Sequence, residues 1–200
     1  MNSRRRFSNG GVSTWEVALV WKPNEMLQLG YTCKNLEQGI DYFIDNFGAG
    51  PFYVMDIPPG IGDYTYRGER VTGVTKNRYA FGYRGAMQFE LFETDNPIFN
   101  HVLGDKDVAY HHCMQMSGTF ERDRLRYAEA GFKTMGIADL EGVLIHYIDT
   151  VEAIGHYTEL FDYDRAIADT GGAMFKAFEV MAAAAVDWDG KDRIRSIPEV

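Results

Sequence analysis

The sequence predicts an α+β fold built from two copies of one βαβββ unit, with a helical extension after the second copy. Three observations carry this. Each half opens on a strand-like stretch that begins near a polar residue able to hold a metal. Each continues into a helical segment closed by a glycine. Each half also ends in one short pattern, Phe89-Glu90-Leu91-Phe92-Glu93 in the first and Thr158-Glu159-Leu160-Phe161-Asp162 in the second. A duplicated unit of this kind implies pseudo-twofold symmetry.

In the first unit, Leu27, Leu29 and Tyr31 alternate with Gln28, Gly30 and Thr32, the signature of a half-buried strand. Asn35 suits an N-cap, with Gln38 three residues on in a capping-box position. Leu36, Ile40, Phe43, Ile44 and Phe47 then form one apolar stripe, which Gly48 ends. Strands are expected at 52–55, 71–79 and 86–92, with a Pro- and Gly-rich loop at 58–62. Residues 94–107 read as the connection. The second unit repeats the order, with a strand at 108–116, a helix at 119–130 ended by Gly131, and strands at 132–137, 144–148 and 156–161.

The division expected is therefore an N-terminal arm at 1–25, one domain at 26–162 (modules 26–95 and 108–162), and a C-terminal extension at 163–200. Met174, Phe175, Phe178, Met181, Ala182 and Ala185 give that extension a helical apolar stripe, packed on the domain or on a partner subunit. The extension and the arm together point to a homodimer.

A chain of 200 residues can bury a core without disulfide staples. Its net charge of −9 argues against nucleic-acid binding, which needs a Lys/Arg surplus on some face. Cys33 and Cys113 lie far apart with no metal-type spacing and read as free thiols in a reducing cytoplasm. Ser3-Arg4-Arg5-Arg6-Phe7 has the look of a twin-arginine signal but lacks the apolar run that should follow. No run has the length of a membrane span. A cytoplasmic location without membrane or nucleic-acid partners is the expectation.

Gln28 and His112 sit on the first strands of the two units, and Glu90 and Glu159 on the last. If the units pack as related halves of one curved sheet, these strands neighbour each other around a cleft. Period-two alternation puts His112 on one face with Tyr110, Met114 and Met116, and Glu159 with Tyr157 and Phe161. Two glutamates facing one cleft repel and are costly to bury. A divalent cation between them removes both penalties. Singly each residue is weak evidence, because a strand histidine is more often packed than ligating; the repeated set carries the weight. His111 is expected to point away from His112 toward the helices, His101 to be solvated, and His146 and His156 to be structural or to support the site. Arg67, Arg70, Arg78 and Arg84 read as solvated surface.

Leu27-Gln28-Leu29-Gly30 with Asn35-Leu36, Phe89-Glu90-Leu91, Tyr110-His111-His112 and Gly155-His156-Tyr157-Thr158-Glu159-Leu160 together resemble the vicinal oxygen chelate superfamily. That superfamily includes glyoxalase I, methylmalonyl-CoA epimerase, extradiol dioxygenases and antibiotic-resistance proteins. The resemblance spans about residues 26–162. It implies two paired βαβββ modules forming an incomplete β-barrel around a metal cleft, with Gln28, Glu90, His112 and Glu159 as the four ligands. Gln28 stands where the family often has histidine. One nitrogen and three oxygen ligands suit Zn, Ni, Co, Mn or Mg as a Lewis acid, and disfavour the two-histidine iron chemistry of the ring-cleaving branch.

The expected function is a metal-dependent isomerase, epimerase or lyase acting on a small oxygenated substrate, apolar or aromatic. Glu159 is the first candidate base and Glu90 the second. The alternatives are a non-catalytic binding protein of the same fold and, behind it, an extradiol-type dioxygenase.

Overall fold

The computed structural model describes residues 27–140 and 142–200; the expected N-terminal arm lies outside the described residues. In the first half, β1 (Gln28–Cys33) leads into α1 (Leu36–Phe47), followed by β2 (Phe52–Asp56), β3 (Asp63–Tyr66), β4 (Glu69–Arg70), β5 (Asn77–Arg84) and β6 (Met87–Thr94). A short helix, α2 (Pro97–Asn100), leads to the second half. There β7 (Val108–Ser117), α3 (Phe120–Glu129), β8 (Thr134–Leu140), β9 (Val143–Ile148), α4 (Val151–Ile154) and β10 (Tyr157–Asp162) follow. The extension is α5 (Tyr163–Thr170), α6 (Ala173–Ala184) and β11 (Ile194–Ser196).

All strands join one curved, unclosed sheet in the order β11-β2-β5-β6-β1-β7-β10-β9-β8-β3-β4. The repeat is visible in it. In the first half β1 pairs parallel with β6, in the second β7 pairs parallel with β10, and β1 and β7 meet antiparallel at the centre. The first and last strands of both units, which carry the four candidate residues, are thus the four central strands.

Local sequence explains the helices. Asn35 accepts a hydrogen bond from the Gln38 amide at 2.8 Å, and Gly48 ends α1 in the left-handed region at φ 61°. Leu36, Ile40 and Phe43 bury against Phe89 and Leu91 on the convex face of the sheet. On the second half Phe120 of α3 packs with Ile148 and Leu160. The concave face holds the larger, aromatic-rich core, to which α6 contributes Phe175 and Met181.

Two strand assignments shift. Residues 71–76 form a loop, and the strand expected at 71–79 begins at Asn77 and runs on to Arg84. The Asp95 carboxylate binds the amides of Thr75 and Lys76, which ties that loop down in place of ladder pairing. The segment 63–66, assigned to no strand from the sequence, is β3, and it pairs with β8 of the other half. Its short DYTY run shows alternation too brief to detect.

The extension returns to the first half. β11 pairs parallel with β2, Arg193 reaches Asp45 of α1 at 2.6 Å, and the Trp188 ring covers Gly50, where a Cβ would collide with it. No helix among the described residues is long and apolar enough to cross a membrane.

Candidate metal centre

Gln28, Glu90, His112 and Glu159 converge at the centre of the concave face, each less than a tenth exposed. One ligand atom from each of Glu90, His112 and Glu159 lies within 4.8 Å of the others. His112 Nε2 lies 2.7 Å from Glu159 Oε2, 3.5 Å from Glu90 Oε2 and 3.4 Å from Gln28 Oε1. Register explains the convergence: Gly30 of β1 faces Glu90 on one side and His112 on the other. Gly30 has no side chain, and the His112 ring occupies the space a Cβ would need.

Gln28 is oriented by a chain of amides. Its Nε2 donates to Gln88 Oε1 at 2.6 Å, and Gln88 Nε2 in turn donates to the Tyr83 hydroxyl. The Gln28 carbonyl oxygen is left as the atom facing the centre, so a residue type seldom singled out as a ligand presents an acceptor here.

His112 is oriented by a bulge. Gly30 pairs with His112 while Tyr31 pairs with Tyr110, leaving His111 as the extra residue of β7. His111 therefore does not point away from His112, and the helix it meets, α2, lies on the same side. It lies on the same side as His112, with the two Nδ1 atoms 2.9 Å apart and its own Nε2 2.8 Å from the Ile98 carbonyl. That carbonyl only accepts, so His111 Nε2 carries the proton and its Nδ1 accepts from His112 Nδ1–H. His112 Nε2 is then the atom offered to the carboxylates. Beyond the bulge Tyr110 leaves the cleft face and packs outside against Tyr31 and His156. His101 is not solvated: it is half-buried, bonded to the Pro97 carbonyl and to the Tyr157 hydroxyl, both at 2.9 Å. His146 packs on Phe120, away from the site. Arg78 is tied up in ion pairs with Glu37, Asp56 and Glu93.

Burial pushes the Glu90 carboxyl up to about 7, with Glu159 adding to the rise and His112 opposing it. Burial pulls the other way on His112, but the facing carboxylates of Glu159 and Glu90 outweigh it and hold the imidazole at about 9. Burial, with His112 beside it, drives His111 well below the ordinary histidine range. A buried tyrosine, Tyr147, sits opposite Glu159 in the ladder, its hydroxyl held neutral first by burial and then by both glutamates.

This group can hold a metal ion. Glu159 Oε2 is buried, 2.7 Å from His112 Nε2, and has no other polar partner. Two buried carboxylates, one imidazole nitrogen with its far side hydrogen-bonded, and one amide oxygen form a hard, mostly oxygen donor set of the kind that suits a divalent cation.

No protein-family model matches the sequence, and no curated protein does. Solved structures match in fold. The hypothetical protein BH1468 from Bacillus halodurans C-125 superposes with a TM-score of 0.52 at 14% identity, over 70% of this chain and 95% of its own. A Streptomyces coelicolor methylmalonyl-CoA epimerase variant in complex with 2-nitronate-propionyl-CoA gives 0.50 at 14%, over 70% and 95%. A methylmalonyl-CoA epimerase in complex with methylmalonyl-CoA and NH4+ gives the same values. The chain has the vicinal oxygen chelate fold.

Proposed function

We propose that this protein is a metal-dependent enzyme that transfers a proton at a carbon beside a carbonyl, as an isomerase, epimerase or lyase. One observation carries the reading: Glu159 Oε2, buried with no polar neighbour but His112 Nε2, shares its centre with Glu90 and Gln28. Gln28, Glu90, His112 and Glu159 would hold one divalent ion, with Zn, Ni, Co, Mn or Mg all compatible. When bound, such an ion supplies Lewis acidity that lowers the pKa of a C–H next to a chelated carbonyl. Glu159 is the base that takes this proton on a carboxylate oxygen and returns it; Glu90 is the second candidate. The epimerases among the fold neighbours are in keeping with this reading. One histidine in place of two speaks against ring-cleaving iron chemistry. The homodimer belongs to the same proposal and is tested by light scattering.

The test is metal analysis of the purified chain beside its Glu90→Ala and Glu159→Ala variants. About one divalent ion per chain, lost in both variants, is expected. Deuterium uptake from D2O into a panel of small hydroxyketones should then require Glu159, and be lost in Glu159→Gln. A chain that takes up no divalent ion would remove the enzyme reading. It would leave the second one, a small-molecule binding protein, which the apolar cavity beside the site favours.

A further inference from the structure

Beside the four converging residues lies a cavity of about 440 Å³, within the size range of small-ligand sites. Gln28, Glu90 and Glu159 form one end of it. Its remaining wall combines the concave sheet (Phe81, Met114, Phe161) with α6 (Phe175, Phe178, Met181). The helix is well seated there, with Phe178 on Phe81 at 5.4 Å and Phe175 on Phe161 at 6.1 Å between ring centroids.

The charges along this wall have one sign. Glu90 and Glu159 line the cavity with Asp56, which is already paired with Arg78 at 3.0 Å, and no lysine, arginine or histidine among the described residues does. Two arginines line an adjoining groove, Arg70 and Arg165, and both are already paired, with Asp63 at 2.6 Å and with Asp139 at 2.7 Å. An anionic ligand would leave water for an apolar chamber that offers it acids and no free cation. A divalent ion held by Glu90 and Glu159 brings two positive charges against two negative ones, so even the loaded centre has no surplus for a second anion.

We infer that the cavity selects an uncharged, largely hydrocarbon compound with one oxygen-bearing end, and that α6 is the element that sets this specificity. The oxygen-bearing end follows from the metal reading above; the neutral, apolar remainder stands on the cavity wall alone. Sulfur- and ring-bearing side chains on both the sheet and α6 accept flat or irregular apolar shapes, since methionine adapts to its contact and aromatic rings pack against rings.

A matched pair of fluorescent probes tests it: N-phenyl-1-naphthylamine, which is neutral, and 1-anilinonaphthalene-8-sulfonate, the same ring system with one sulfonate. Both are titrated into the full chain with and without zinc. The neutral probe should bind one per chain, and the sulfonate at least ~10-fold more weakly, as burial of an unpaired charge demands. Phe178→Arg, at a half-buried position of α6, should narrow or reverse that preference; if circular dichroism shows it misfolded, Met174→Lys, also half-buried, takes its place. Equal or tighter sulfonate binding to the unmodified chain overturns the inference, as does a preference that neither α6 variant moves. The two readings fail separately. Selective neutral-probe binding without zinc uptake sinks the metal centre and keeps the cavity, and zinc uptake with sulfonate preferred does the reverse.

Discussion

His111 and His112 are neighbours in sequence and also touch through their side chains, Nδ1 to Nδ1 at 2.9 Å, on the same side of the sheet. Alternation along a regular strand forbids this. The bulge opposite Gly30 and Tyr31 permits it, and so gives His112 a fixed tautomer.

Removing His111 should therefore weaken metal binding without touching a ligand. His111→Ala is expected to lower zinc affinity about 10–100-fold, the usual effect of losing a partner behind a ligating histidine. It should also cost about 1–3 kcal/mol of stability, since the Ile98 carbonyl and His112 Nδ1 lose their partner. Calorimetric zinc titration and urea denaturation read the two effects. Unchanged zinc affinity would show that the relay does not set the tautomer.

Metal affinity should rise with pH in two steps. In the metal-free protein His112 keeps its extra proton up to about 9 and Glu90 up to about 7. A metal must displace whichever protons are present. Below pH 7 both are lost on binding, so affinity climbs by about two decades per pH unit; between 7 and 9 it climbs by about one, and above 9 it levels off. Zinc competition assays across pH 5.5–9.5, in a buffer of known zinc affinity, give the slope. An affinity flat between pH 6 and 8 would contradict the pairing of His112 with the carboxylates.

Gly30→Ala should displace the His112 ring, because the added methyl overlaps it. We expect at least ~100-fold weaker zinc binding and a destabilisation of about 1–3 kcal/mol from overpacking. Retained affinity would mean that the β1 backbone yields more readily than the ring.

Gln28→Leu should lower zinc affinity while leaving Gln88 and Tyr83 joined, and Gln28→His should preserve binding, since imidazole can supply the fourth donor. Gln88→Leu is the informative companion. It frees Gln28 to flip its amide, and a loss of affinity close to that of Gln28→Leu would identify orientation as the contribution of Gln88.

Much of the centre is legible in the sequence because it rests on repetition. Glu90 and Glu159 stand out through the shared Glu-Leu-Phe-acid pattern, and strand alternation alone gives them a common face. The parts that are not legible depend on contacts distant in sequence. A bulge leaves no periodic trace, so His111 and Tyr110 are assigned to the wrong faces by alternation. Gln88 matters through its bond to Gln28, 60 residues away. The apolar stripe of α6 announces burial, but nothing in it says that its partner is the concave face of the first two units.

β3 belongs to the first repeat by chain order and to the second by hydrogen bonding. The halves are thus fastened at the outer rim as well as along the β1–β7 seam, and they cannot hinge apart without tearing one ladder or the other. An arriving ion meets donors whose spacing the scaffold has already imposed, and spends none of its binding energy on drawing two lobes together.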